Sequence, residues 1–322
     1  VTSTPHIPGF TVQRLLGRGN SAWVYLALDK GGRRVALKLP FPETLEDPAS
    51  AERFANEVRL SLQLRHDRIV VGHEGTPFGS GSFLAMRYFP EGTLSRWLEL
   101  GKLSTPEALR ILADVAGALT FLHAQGVVHQ DVKSQNVYLD DGRAALGDFG
   151  AAYFTVQGGK TAGSPFYMAP EIYRGEGSSP ASDVYSLGVL AYEMLTHERP
   201  FRGATYEELM AAHLSRYPRP LVNRVPGVPR ALALLIERSF AKNAAERPDA
   251  LSLARAFESA LGVESERVEV AAVKPALQGR HGPKGDLAAL GPGMPVKDAA
   301  TKEKTSEKSA GFWNPFKKRS GR

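Results

Sequence analysis

Three polar residues stand among short apolar pieces in one stretch of the chain. Residues 127–150 read V-V-H-Q-D-V-K-S-Q-N-V-Y-L-D-D-G-R-A-A-L-G-D-F-G, and the three are Asp131, Asn136 and Asp148. Asp131 is a carboxylate that can orient and deprotonate a hydroxyl. Asn136 and Asp148 offer oxygen ligands suited to Mg²⁺, which prefers a few protein oxygens and completes its shell with phosphate oxygens.

Other segments must bring these groups to a substrate. Residues 10–16 alternate as a strand and lead into Gly17-Arg18-Gly19-Asn20-Ser21-Ala22-Trp23-Val24. Glycines there let backbone N–H groups approach a triphosphate closely, although a lone pair of glycines also suits a plain hairpin turn. Residues 34–39 form a second strand pattern that carries Val35-Ala36-Leu37-Lys38. Residues 48–65 read as an amphipathic helix, with Phe54, Val58 and Leu62 at helical spacing and Glu57 on its course. Residues 82–87 read as a further strand, and Gly92 as the start of a short helix. Ser104 and Glu107 have the spacing of a capping box, which opens a long helix to about His123 with Leu112, Val115, Leu119 and Leu122 as its apolar stripe. The helix opened by Ser182-Asp183-Val184 is apolar almost all round, which predicts a central position.

In order and spacing these segments resemble the eukaryotic-like serine/threonine protein kinases, here a bacterial member. Asp131 to Asn136 is similar to H-R-D-x-x-x-x-N with Gln130 in place of Arg, and Asp148-Phe149-Gly150 to D-F-G. The glycine-rich segment is similar to G-x-G-x-x-G-x-V, with Ala22 for the third glycine. Ala169-Pro170-Glu171 is similar to A-P-E, preceded by the turn Gly163-Ser164-Pro165. The fold this implies is α+β and bilobal, with an antiparallel small lobe (residues 10–89) carrying one helix and a larger, mainly helical lobe (residues 90–261). The implied chemistry is transfer of the ATP γ-phosphoryl to a protein Ser or Thr hydroxyl with Mg²⁺, Mn²⁺ being the alternative cation.

The resemblance assigns roles residue by residue. Asp131 takes the hydroxyl proton, Lys133 neutralises the γ-phosphate, and Asn136 and Asp148 hold the metal. Lys38, fixed by Glu57, orients the α- and β-phosphates. Leu16, Gly17, Gly19, Val24, Ala36, Met86 and Tyr88 surround the nucleotide, Met86 guarding the back of the pocket and residues 87–89 forming the hinge. Asp183 braces the catalytic loop, and Arg247 pairs with Glu171. Thr161 is the expected phosphorylation site, with Thr155 as the other loop threonine. Two features depart from the pattern. Gln130 offers no full charge to a phosphate, so activity is expected not to require one on Thr161, with the reach of Glu57 to Lys38 as the gate. Ser61 and Gly72 stand where the family has bulky apolar residues behind Phe149 and His129, which implies a loosely assembled active state. The alternatives are a pseudokinase that binds nucleotide as a scaffold and a small-molecule phosphotransferase of the same superfamily. The complete phosphate and metal set argues against the first and the A-P-E segment against the second.

Composition sets outer bounds. The chain has 322 residues, 43% of them hydrophobic, and its net charge is +6. That is enough chain for two lobes. Twelve Lys/Arg against seven Asp/Glu fall after Leu261, so the positive charge belongs mostly to the tail and no nucleic-acid partner is expected. Residues 262–322 lack apolar periodicity and read as a disordered basic tail, as residues 1–9 read as a lead. The tail ends in Phe312, Trp313 and Phe316 beside Lys317, Lys318 and Arg319, a combination suited to weak docking on an anionic membrane surface or a partner. The expected partners are protein substrates and, at the small lobe, a second kinase chain. Cysteine is absent, which permits a reducing compartment. No secretory signal and no apolar run of about 18 residues is visible, so a cytoplasmic location is expected. Residue 1 is Val, which fits a GTG start in a bacterium or a trimmed fragment.

Overall fold

The structure is a computed structural model, and it describes residues 5–101, 103–155 and 163–262. Five strands lie towards the N-terminus: β1 (Thr11–Arg18), β2 (Ala22–Leu28), β3 (Arg34–Pro40), β4 (Gly72–Thr76) and β5 (Phe83–Arg87). They form one antiparallel sheet in the order β1-β2-β3-β5-β4. The β2–β3 turn closes on Asp29, whose Oδ1 accepts from the amides of Gly31 and Arg33 at 2.9 Å each, with Gly32 at φ +77°. Alternation along β3 sorts its side chains. Val35, Leu37 and Leu39 pack with Ala27, Phe83 and Ala85 on one face. Ala36 and Lys38 therefore turn to the other face.

A short helix, α1 (Pro42–Glu46), precedes α2 (Pro48–Gln63). Asp47 caps α2 by accepting from the Ser50 amide at 2.9 Å, and Pro48 occupies its first turn, where a missing N–H costs nothing. Of the apolar stripe, Phe54 and Val58 are buried and Leu62 is partly buried against the same cluster, and Glu57 is buried beside them.

The larger lobe contains α3 (Leu94–Glu99), α4 (Thr105–Ala124), β6 (Val127–Val128), β7 (Val137–Asp140), β8 (Arg143–Leu146) and β9 (Tyr153–Phe154). Then follow α5 (Pro170–Tyr173), α6 (Pro180–Thr196), α7 (Tyr206–Ser215), α8 (Arg230–Arg238) and α9 (Ala250–Ala260). β7 pairs with β8 and β6 with β9, both antiparallel. The Ser104–Glu107 capping box is present at the start of α4. α6 is buried on nearly every side and carries the main core, with Tyr185, Leu187, Leu190 and Tyr192 almost wholly enclosed. No described helix is long and apolar enough to cross a membrane.

Two expectations need correction. Gly92 lies in a turn at φ +77°, and the helix after it starts only at Leu94, behind Thr93. The loose assembly expected from Ser61 and Gly72 is absent. A Cβ added at Gly72 would lie 3.0 Å from Ser61 Cβ and 3.1 Å from the Ser61 carbonyl, so α2 and β4 meet backbone to backbone. The Arg65 guanidinium ties them by donating to Ser61 O at 3.1 Å and Gly72 O at 2.8 Å. Small residues here permit a closer approach instead of leaving a gap.

Candidate active site

The site lies where the inner face of the sheet meets β6–β9. Lys38 Nζ donates to both Glu57 carboxylate oxygens, at 2.6 and 2.7 Å, with both side chains nearly buried. Burial pushes the Glu57 carboxyl up to about 7, the Lys38 ammonium opposing that and Asp148 adding to it. For Lys38 burial works against the charge, but the Glu57 and Asp148 carboxylates outweigh it and hold the amine above its ordinary range. Lys38 in turn holds the Asp148 carboxyl below the usual carboxylate range, against burial and with help from Lys133 and His129. Three charged groups, from β3, α2 and the segment after β8, thus share one low-dielectric place.

Asp148 adopts the left-handed region at φ 65° and starts the single 3₁₀ turn Phe149–Ala151. Phe149 is fully buried, edge-on to His129 at 5.5 Å between ring centroids. The loop between β6 and β7 is fixed from below by the buried Asp183 of α6. Its carboxylate accepts from the backbone amides of His129 at 2.9 Å and Gln130 at 2.8 Å, and meets His123 Nε2 at 2.9 Å. These bonds hold Gln130 at φ 67°, a conformation that non-glycine residues seldom take. Gly163 then passes so close that a Cβ there would lie 3.0 Å from Gln130 O.

Asp131 stands at the mouth of this loop. Its Oδ2 accepts from Lys133 Nζ at 2.6 Å and from Asn136 Nδ2 at 3.1 Å, and its Oδ1 from Ser164 Oγ at 2.9 Å. Lys133 also donates to Ser164 Oγ at 2.8 Å, which ties the turn before A-P-E to the loop. The Asn136 amide nitrogen is committed to Asp131, including its backbone carbonyl at 2.8 Å, so its carbonyl oxygen is the atom left for a cation. The donor set suits a phosphate-bound metal rather than a self-sufficient cage. Among the described residues no cluster of three or more His, Cys, Asp or Glu could hold a metal ion. A few protein oxygens completed by water and phosphate is the coordination Mg²⁺ favours.

The residues expected around a nucleotide also gather. Leu16, Val24, Ala36, Met86 and Tyr88 share one apolar cluster with Val70, Tyr138 and Ala145. Gly17 and Gly19 lie at the β1–β2 turn, where the Gly19 amide donates to Ala22 O at 2.9 Å and no heavy atom would crowd a Cβ at Gly17. Glu171 and Arg247 form a buried bidentate pair at 2.8 and 2.7 Å. Thr155 is exposed at the end of β9, whereas Lys160, Thr161 and the aromatic end of the tail lie outside the described residues.

Sequence reasoning missed three features. Tyr138 and Ala145 complete the apolar cluster from the β7–β8 hairpin, which no local motif marks. Asn56, beside Glu57, donates to Phe149 O at 3.1 Å and Ala152 O at 2.6 Å. The Gln130 amide is buried with neither Nε2 nor Oε1 partnered among the described residues.

The protein kinase domain family matches the chain over residues 10–256. The chain belongs to that family. Serine/threonine-protein kinase PknA of Mycobacterium tuberculosis is 37% identical over 251 residues, covering 74% of this chain and 58% of the relative. PknJ of the same organism is 33% identical over 252 residues, covering 74% and 43%. PknH of Mycobacterium bovis is 35% identical over 247 residues, covering 74% and 41%. The chain therefore spans roughly half the length of these curated relatives. The match supports the eukaryotic-like, bacterial reading of the sequence, and the antiparallel small lobe and helical large lobe are those of a protein kinase.

Proposed function

We propose that this chain transfers the γ-phosphoryl of ATP to Ser and Thr hydroxyls of proteins. One observation carries the reading: the Lys38–Glu57 pair is formed within electrostatic reach of Asp148, while Asp131 is already joined to Lys133, Asn136 and Ser164. Phosphoryl transfer asks little covalent work of a protein, so positioned charge is what such a site must supply.

Lys38 faces the α- and β-phosphates and Glu57 fixes its direction. Leu16, Val24, Ala36, Met86 and Tyr88 enclose the base, with amides of the β1–β2 turn over the phosphates. Asp148 and the Asn136 carbonyl would hold Mg²⁺, whose small size and hard oxygen preference fit two protein ligands plus phosphate better than a larger cage; Mn²⁺ is the substitute. When bound, the cation neutralises phosphate charge. The acceptor oxygen attacks the γ-phosphorus, the bond to the bridging oxygen breaks, ADP departs, and Asp131 takes the hydroxyl proton. Lys133, two residues on, lies close enough to balance charge on the moving phosphoryl group. A cleft of about 230 Å³ lined by Ser95, Glu99, Ser134, Gln135, Glu193 and Arg199 lies beside the loop and gives an acceptor polypeptide a place to lie.

We place the kinase domain at residues 10–261, acting in the cytoplasm where ATP and Mg²⁺ are supplied. A second kinase chain at the small lobe would bias the reach of α2, and the basic aromatic end of the tail would serve location. A phosphopeptide map after incubation with Mg·ATP tests the chemistry. Phosphoserine or phosphothreonine should form with the native chain and be lost in Lys38→Met and Asp148→Asn. Near-normal phosphorylation by either variant overturns the assignment.

A further inference from the structure

Glu57 and its predecessor divide the work of one helical turn. Successive helix residues project about 100° apart. Glu57 turns to Lys38, and Asn56 turns to the segment after Asp148. Its Nδ2 carries two hydrogens, and both are used: one reaches Phe149 O at 3.1 Å, the other Ala152 O at 2.6 Å. These carbonyls bracket the 3₁₀ turn, which closes on itself through Ala152 N to Phe149 O at 3.1 Å. One helical turn earlier, the backbone of Arg53 passes 3.5 Å from where a Cβ on Gly150 would stand. The turn is thus laid directly against α2, and Asn56 is the side chain that pins it.

We infer that Asn56 is a positioning residue that locks the Asp148-Phe149-Gly150 turn to α2, so that Lys38–Glu57 pairing and the placement of Asp148 rise and fall together. The inference rests on the kinase reading for its catalytic consequence, but not for the clamp itself. The geometry gives α2 two simultaneous partners through adjacent residues. If α2 swings away, Lys38 loses Glu57 and the turn loses its only described side-chain donor in the same movement. The clamp uses neutral hydrogen bonds to carbonyls, so it needs no phosphate. That supplies what Gln130 does not: a means of ordering the segment that begins at Asp148 without a cation beneath it.

Two variants remove the donor differently. Asn56→Asp keeps the shape but sets an acceptor-only carboxylate against two carbonyls, near Asp148. Asn56→Leu keeps the size, removes all polarity and is the better helix former, so it folds if Asp does not. The full chain is examined by hydrogen–deuterium exchange and by steady-state phosphorylation of a generic acceptor peptide. Amides of residues 149–154 and of α2 should both exchange faster in the variants, by about tenfold or more. The turnover number should fall about tenfold while the Michaelis constant for the peptide stays within about twofold. In a double-mutant cycle, Asn56→Leu with Glu57→Gln should cost much less than the product of the two single losses, because both act on one movement. Unchanged exchange in both segments overturns the clamp, whatever the activity. Faster exchange with full turnover, or strictly multiplicative losses, overturns its catalytic role. A native chain with no phosphorylation at all overturns the kinase reading and leaves the exchange result to decide the clamp.

Discussion

Arg247→Met is the most demanding test of the large lobe. The Arg247 side chain is wholly buried, and its guanidinium makes four hydrogen bonds at once. It donates to Glu171 Oε1 and Oε2 at 2.8 and 2.7 Å, to Ala181 O at 2.9 Å and to Ala241 O at 2.9 Å. It also lies 5.0 Å from the centre of the Tyr185 ring on α6. Methionine fills part of the volume and supplies none of the donors. Glu171 would keep only Ser182 Oγ, at 2.7 Å, as a side-chain partner for a buried charge. Breaking a buried pair from one side costs about 3–5 kcal/mol. For a domain of this size each kcal/mol lowers the melting temperature by about 2–4 °C, so a fall of about 6–20 °C is expected. Burial pushes the Glu171 carboxyl up, but the Arg247 hydrogen bonds and charge prevail and hold it below its ordinary value. The pair therefore stabilises the native protein above the unfolded carboxyl range near 4.5 and loses that contribution as pH falls through the lowered value. Calorimetry at pH 7.5 and pH 4 supplies the measurement. A drop below about 2 °C, or a loss equal at both pH values, would refute the reasoning. The double variant Arg247→Met/Glu171→Met should recover much of the loss, because no buried charge is then left alone.

Three further outcomes are expected. With the Glu57 carboxyl near 7, turnover per ATP encounter should rise with pH between about 6 and 8 as Glu57 ionises against Lys38, and Glu57→Gln should remove that limb; a limb that persists in the variant would assign it elsewhere. The sign for folding is opposite, since a carboxyl raised from 4.5 binds its proton more tightly when folded and so costs stability as pH rises. Thr161→Ala should keep activity within about tenfold, or roughly 1.4 kcal/mol of barrier, because neutral Gln130 offers a loop phosphate no full charge; a thousandfold loss restored by an acidic substitution would show another cation in that role. A chain ending at Leu261 should phosphorylate a generic substrate as well as the full chain does, and unfolding or loss of turnover on truncation would move the domain boundary.

The groups proposed to take the acceptor proton and to hold the cation were legible because short polar signatures fix them locally. Asp131, Asn136 and Asp148 lie within eighteen residues of one another, and the chain offers few other ways to place them. Helices were legible from their caps and stripes, as at Ser104 and along α2. What escaped were relations between distant segments. Asn56 reads as an ordinary polar residue on a charged helix until residues 149–152 come within hydrogen-bonding distance. Tyr138 belongs by sequence to a short hairpin and by space to the apolar cluster under the sheet. Ser61 and Gly72 were visible as small residues, but size alone does not say whether a backbone will move in to take up the room. That choice depends on Arg65 reaching both carbonyls, a contact made only in the folded chain.

The contact between Gly72 and Ser61 also limits how this sequence can drift. A mutation at position 72 can only add atoms, and the space is already held by Ser61 Cβ at 3.0 Å and by the Ser61 main-chain carbon and oxygen at 3.1 Å, which cannot rotate aside. The first methyl group there would press on α2, the helix that carries Glu57, and Ser61 would have to give way by a few tenths of an ångström. Deletion of the Ser61 side chain would relieve only one of the three close approaches, since the other two are to its backbone carbon and oxygen. A lineage could therefore acquire a bulky residue behind Phe149 only by shifting the whole helix, with Arg65 and Asn56 re-registered in the same step. Substitution by substitution, this chain is held to the close-packed version of its fold.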